Sequence, residues 1–273
     1  MSHSLISKIR ENVIGERRGI ETAFGTKPLV YADYTASGRS LHFLEDFIRR
    51  QVLPLYANTH SETSFTGAQS TALREQARTI IRRAVGGCDD DQVIFCGSGA
   101  TAAISKLIDI LNLRLPADLS DRHDLLAAIP PARRPVVFVG PYEHHSNELP
   151  WRESIARVEV VPLDSKGQLD IDVLERLLQQ YAGGPLLIGS FSAASNVTGI
   201  RTDVERVTRL LKQYGALSFW DYAAAAPYVR IRMNGGADTS GMSSEQTSEE
   251  VGGRVDPNVS GDLPEIADTG SDQ

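Results

Sequence analysis

Long apolar runs, paired cysteines and late lysines are what this sequence is short of, and each shortage narrows its class. In 273 residues no hydrophobic stretch approaches the length that crosses a bilayer, so no membrane span is expected. The start, MSHSLISKIRENVIGERR, has neither the continuous apolar segment nor the small-residue cleavage site of a secretory signal, which makes the cytoplasm the expected location. Two cysteines, Cys88 and Cys96, stand without a CxxC or a companion pair. They predict buried, reduced thiols and no disulfide framework or zinc site. Aromatic residues stop at Tyr228 and lysines at Lys212.

Beyond Met233 the composition changes. Nine acids against one base, Arg254, give residues 234–273 a charge of −8, so of the formal −7 the first 233 residues carry about +1. The stretch has no aromatic residue and is crowded with Gly, Ser, Thr, Asp and Glu. It cannot bury enough apolar surface to offset the entropy of ordering, and a disordered acidic tail is predicted. The folded part is therefore expected at residues 1–233, with the tail at 234–273. Neither nucleic acid nor membrane is an expected partner.

What is there, in the folded part, is alternation. A short amphipathic helix is predicted over 4–14 and a strand over Lys27 to Asp33. Helices follow over 41–53, ended by Pro54, and over a long segment to Val85, stopped by Gly86 and Gly87. From there strands at 92–96, 136–139, 158–163, 186–191 and 217–220 alternate with helices at about 100–113, 171–181 and 203–214. That pattern predicts an α/β fold whose mostly parallel sheet is sandwiched by helices.

The carboxyl ends of such strands are where ligands bind, and the residues there carry distinct chemistry. Gly99, Ala100 and Thr101 open a helix, where free N–H groups, the dipole and one hydroxyl suit a phosphate. Gly97, Gly99 and Ala102 also satisfy G-x-G-x-x-A, a dinucleotide pattern, although the next acid, Asp118, falls in a loop. His144 and His145 are adjacent; on extended backbone they would face opposite ways, so one serves a site and no two-histidine metal grip is expected. Asn196 lies in SAASNVTGI, and Asp221 ends the strand in GALSFWDYAAAAP, as a turn cap or a site carboxylate. Phosphate cradle, imidazole, amide and carboxylate together suit a planar phosphorylated heteroaromatic cofactor such as pyridoxal 5′-phosphate, whose ring nitrogen must stay protonated.

On these residues the chain resembles the class V aminotransferase family of fold-type I pyridoxal-phosphate enzymes, in its cysteine desulfurase and selenocysteine lyase branch, from about Val30 to Tyr228. The resemblance implies the large domain of that fold, in part. SGAT implies Thr101 as phosphate ligand, EHHSNELPW implies His144 as the ring-stacking and proton-handling residue, and SNVTG implies Asn196 at the phenolic oxygen. WDYAAAAPY implies Asp221 at the pyridine nitrogen. VYADYTASG, with Ala36, and YANTH, with Asn58 and His60, look like the substrate side. A small amino-acid substrate and a dimer, of this chain or with a complete homologue, are implied as partners.

Two departures stand out. Asp221 is followed by Tyr222, Ala223 and Ala224 where desulfurases have D-G-A-Q, so the glutamine is absent. The lysine that anchors the cofactor covalently would follow Asp221, and no lysine does; Lys106 and Lys212 lie inside predicted helices, and neither cysteine matches the desulfurase cysteine. The expectation is a truncated or divergent domain that binds the cofactor without a covalent bond and turns over little. The alternatives are a non-catalytic partner subunit of a complete homologue and a nucleotide-binding, Rossmann-like oxidoreductase.

Overall fold

The structure, a computed structural model, describes residues 2–234; the predicted tail, apart from its first residue Asn234, falls outside the described residues. In chain order the elements are α1 (Ser2–Asn12), the antiparallel hairpin β1 (Gly19–Thr22) and β2 (Gly25–Pro28), α2 (His42–Phe47), α3 (Phe65–Ala84), α4 (Ala100–Ile110) and α5 (Ala117–His123). Then β3 (Val136–Val139), α6 (His145–Arg152), β4 (Arg157–Val160), α7 (Ile171–Tyr181), β5 (Leu187–Ser192), α8 (Val204–Gln213) and β6 (Leu217–Asp221) follow in strict alternation.

The last four strands form one parallel sheet in the order β4-β3-β5-β6. The two central strands, VVFV and LIGSFS, are buried at every position, as both-faced coverage requires. Successive side chains leave a strand on opposite sides, so each strand feeds two cores. Val136, Phe138, Leu187 and Phe191 pack against Leu174 and Leu178 of α7 and Val207 and Leu211 of α8. Val137, Val139 and Ile188 pack against Ile108 of α4 and Trp151 of α6. Asp170 and Asp203 start α7 and α8 by accepting backbone N–H bonds, the Asp preference at N-caps. From β3 the chain runs by α6 to β4 at one edge, and from β5 by α8 to β6 at the other. The connections diverge between β3 and β5, and the crevice at their carboxyl ends is where an open α/β sheet receives a ligand.

Several sequence expectations are corrected. The strand predicted at 27–33 ends at Pro28, which has no N–H to continue a ladder; Leu29 N–H instead donates to the Arg18 carbonyl. Residues 92–96 form no strand: no neighbouring strand lies beside them among the described residues, and Ile94 and Phe95 are exposed. The helix over 41–53 breaks into α2, a π turn at Ile48–Val52 and a 3-10 turn at Leu53–Leu55. Asp118 lies in the first turn of α5, not in a loop. Cys88 is exposed and Cys96 partly so, both free, contrary to the buried thiols expected. In residues 4–99 only Gly67 is buried, and large apolar side chains from Leu5 to Phe95 face outward.

Candidate functional site

A cavity of about 530 Å³ opens at the crevice between the ends of β3 and β5. Its walls come from the turn before α2 (Asp33, Thr35, Ala36), the start of α4 (Ala100, Thr101), the loop into α6 (His144, Ser146), the end of β5 and its loop (Ser192, Ala194, Asn196), and the end of β6 (Asp221, Ala223, Ala224).

Each wall has a local cause. Gly97 holds φ +61 and its missing Cβ leaves room for the Ala102 methyl, so the chain can turn sharply into α4. Gly97, not Gly99, is thus the glycine this turn requires, since Gly99 is extended (φ −179) with open space around it. Ala102 and Ala103 N–H groups return to the Gly99 carbonyl, while those of Ala100 and Thr101 belong to the first turn, which has no intrahelical acceptor. His144 is the N-cap of α6 and not a residue on a strand; its Nδ1 accepts the Ser146 N–H at 3.2 Å and lies 2.8 Å from Ser146 Oγ. His144 lines the cavity and His145 does not. Around Asn196, the Ser195 hydroxyl accepts from Val197 and Thr198 N–H and the Ser195 carbonyl accepts from Gly199. Asp221 does both things its position allowed: Oδ1 caps the turn by accepting the Ala223 N–H at 2.8 Å, and the residue still lines the cavity.

Of the residues expected at a site, Ala36, Ala100, Thr101, His144, Asn196 and Asp221 are brought together, and Gly99 stands next to them as the N-cap of α4. Asn58 and His60 lie outside the cavity lining. His60 is held at φ +67 by α3: its N–H donates to Thr71 Oγ1 at 3.0 Å, and Nε2 lies 2.8 Å from Arg74 Nη1.

Glu143 escaped the sequence reading, although it precedes His144. Its Oε1 accepts from Gly140 N–H at 3.1 Å and Ser192 N–H at 2.9 Å; its Oε2 accepts from Asn147 Nδ2 at 2.7 Å and Ser192 Oγ at 2.5 Å. Burial pushes its carboxyl above the usual value, against the pull of those four bonds. Asn147 Oδ1 accepts from Ser190 Oγ, which accepts from Trp151 Nε1. A string of donors therefore runs from the fully buried Trp151 to one acceptor-only carboxylate. A Cβ on Gly140 would strike Glu143 Oε1. Nearby, Thr202 Oγ1 donates to the Ser192 carbonyl and receives the Tyr142 hydroxyl, whose pKa burial raises.

Fold and site together define an α/β domain with a cavity at the switch point of a parallel sheet, walled by a helix N-terminus, an imidazole, an amide and a carboxylate. The family model for class-V aminotransferases matches residues 30–245, and the chain belongs to that family. A probable cysteine desulfurase of Halalkalibacterium halodurans is 26% identical over 212 residues, covering 75% of this chain and 46% of that protein. One of Aeropyrum pernix is 28% identical over 207 residues, covering 74% and 45%. The apo structure of a cysteine desulfurase from Thermococcus onnurineus NA1 superposes with a TM-score of 0.61 at 21% identity, over 83% of this chain and 49% of that one. The chain thus spans about half the length of the relatives it matches. The family implies pyridoxal 5′-phosphate, and the donor set fits it: N–H groups and a hydroxyl at Ala100 and Thr101 for a phosphate, and Asp221 for a protonated ring nitrogen.

Proposed function

We propose that the cavity binds pyridoxal 5′-phosphate through non-covalent contacts and that the chain is a cysteine desulfurase-like protein directed at the amine of a small amino acid. The observation that carries this reading is the convergence of Ala100, Thr101, His144, Asn196 and Asp221 on one cavity. Thr101 and the start of α4 would hold the phosphate, Asp221 the ring nitrogen, His144 the ring face and Asn196 the phenolic oxygen. The bound group supplies an electron sink for charge developing on a substrate carbon. No lysine lines the cavity among the described residues, which is why the contacts are proposed to be non-covalent and turnover slow. Titration of the chain with pyridoxal 5′-phosphate, followed by absorbance and fluorescence, tests this. Saturable binding that Thr101→Val and Asp221→Asn weaken is expected. Borohydride fixing the cofactor to one lysine would sink the non-covalent part, and no binding at all would sink the whole.

A second reading has its own observation. The outward apolar side chains between Leu5 and Phe95 favour an assembly with a second copy or a complete homologue, in which this chain serves as a non-catalytic subunit. Gel filtration and co-purification with a full-length homologue test it, and a strict monomer in both counts against it.

A further inference from the structure

We propose that Glu143 is the positioning residue of the cavity: its carboxylate fixes where His144 and Ser192 stand without itself meeting a ligand. The inference rests on the reading that the cavity takes pyridoxal 5′-phosphate, and it adds a part that reading does not contain. Glu143 is not among the cavity-lining residues, but its partner Ser192 and its chain neighbour His144 are. Gly140 is the first residue after β3, Asn147 lies in the first turn of α6, and Ser192 ends β5 and lines the cavity. His144 sits between Glu143 and Asn147 in sequence. The loop that carries it is therefore pinned at Gly140 and Asn147 and tied across to the neighbouring strand through both the N–H and the hydroxyl of Ser192.

Only a carboxylate meets the geometry. Trp151 Nε1 can only donate, Ser190 Oγ accepts that bond and donates onward, and Asn147 accepts at Oδ1, which turns its Nδ2 toward Glu143. The remaining donors, Gly140 N–H and Ser192 N–H, are backbone and cannot reverse. Glu143 must accept at both oxygens. Glutamine has the same shape but would set an NH2 group against another donor, leaving buried polar groups unpaired. No cation pairs with Glu143 among the described residues, so the four donors and the nearby N-terminus of α6 are what hold its charge.

The experiment uses the full chain and two variants, Glu143→Gln and the double variant Glu143→Gln with Asn147→Asp. In the double variant donor and acceptor are exchanged: the new amide donates to the new carboxylate, and Ser192 Oγ turns to accept. Two readouts are taken, the affinity for pyridoxal 5′-phosphate and, without it, the NMR resonances of the His144 imidazole and the Ser192 amide. Glu143→Gln is expected to weaken binding about tenfold or more and to move both sets of resonances. The double variant should return affinity to within about threefold of wild type and bring the resonances back. Asp221→Asn, by contrast, should weaken binding with the His144 resonances in place. Wild-type resonances and affinity in Glu143→Gln overturn the proposal, as does a double variant that restores neither. Should wild type bind no pyridoxal 5′-phosphate, the function proposed above fails, and the resonances alone decide the role of Glu143. Should Glu143→Gln not fold, recovery of wild-type resonances in the double variant supports the proposal and their continued loss overturns it.

Discussion

Ser192 gives both of its donors to Glu143, the backbone N–H to Oε1 at 2.9 Å and the hydroxyl to Oε2 at 2.5 Å, across 49 residues of sequence. The contact joins the ends of the two strands between which the fold diverges, and the cavity opens at that place. A charge-assisted bond of this length is among the stronger kinds available to a protein. Its acceptor is a partly buried carboxylate with no cation beside it among the described residues.

Burial lifts the Glu143 carboxyl above its ordinary value of 4.5. The folded chain therefore holds that proton more tightly than the unfolded chain does. This group's contribution to stability is complete below the ordinary value and is lost as pH rises through the raised folded one. Urea unfolding at closely spaced pH should show wild type losing stability relative to Glu143→Gln across that window; parallel pH profiles would refute it.

Replacing Asp221 by Asn keeps an oxygen for the Ala223 N–H and removes only the charge. Affinity for pyridoxal 5′-phosphate is expected to fall roughly 10- to 100-fold, the worth of a bond to a charged group, with the melting temperature unchanged. An unaltered affinity would place the ring nitrogen elsewhere.

A methyl at Gly140 would collide with Glu143 Oε1, and the loop cannot yield without releasing Ser192. Gly140→Ala should cost about 1–3 kcal/mol, the range for overpacking, by denaturant unfolding, and should weaken cofactor binding as well. A neutral result would mean that the carboxylate moves freely.

Leu178 is fully buried against the sheet, whereas Ile94 is 64% exposed. Leu178→Ala is expected to cost about 2–5 kcal/mol. Ile94→Lys should change the stability of the isolated chain by no more than about 0.5 kcal/mol. If Ile94→Lys nonetheless alters the elution volume in gel filtration, the outward apolar face belongs to an assembly.

After residue 135 the four strands and the helices α7 and α8 were legible because their signals are local, whereas α6, with a proline inside it, was not expected. Continuous apolar runs such as VVFV mark strands covered on both faces, and caps such as Asp170 and Asp203 mark helix starts. Ala100, Thr101 and Asp221 were legible as candidates for the same reason, since they stand at the ends of α4 and β6, whereas His144 caps the unexpected α6 and Asn196 lies in the loop after β5. Before residue 100 the strands were not legible. Residues 92–96 have the composition of a strand but no neighbour to pair with among the described residues, and Pro28 stops the hairpin short.

The sequence by itself thus determined the strands after residue 135, several of the helices and the groups near their ends, because periodicity, caps and turn residues act over a few positions. Only the tertiary structure decided that five of those groups share one cavity, that Asn58 and His60 do not line it, and that Glu143 ties its walls together. Those outcomes depend on strand order and on contacts such as Glu143 to Ser192, whose partners are far apart in the chain and which no local pattern encodes.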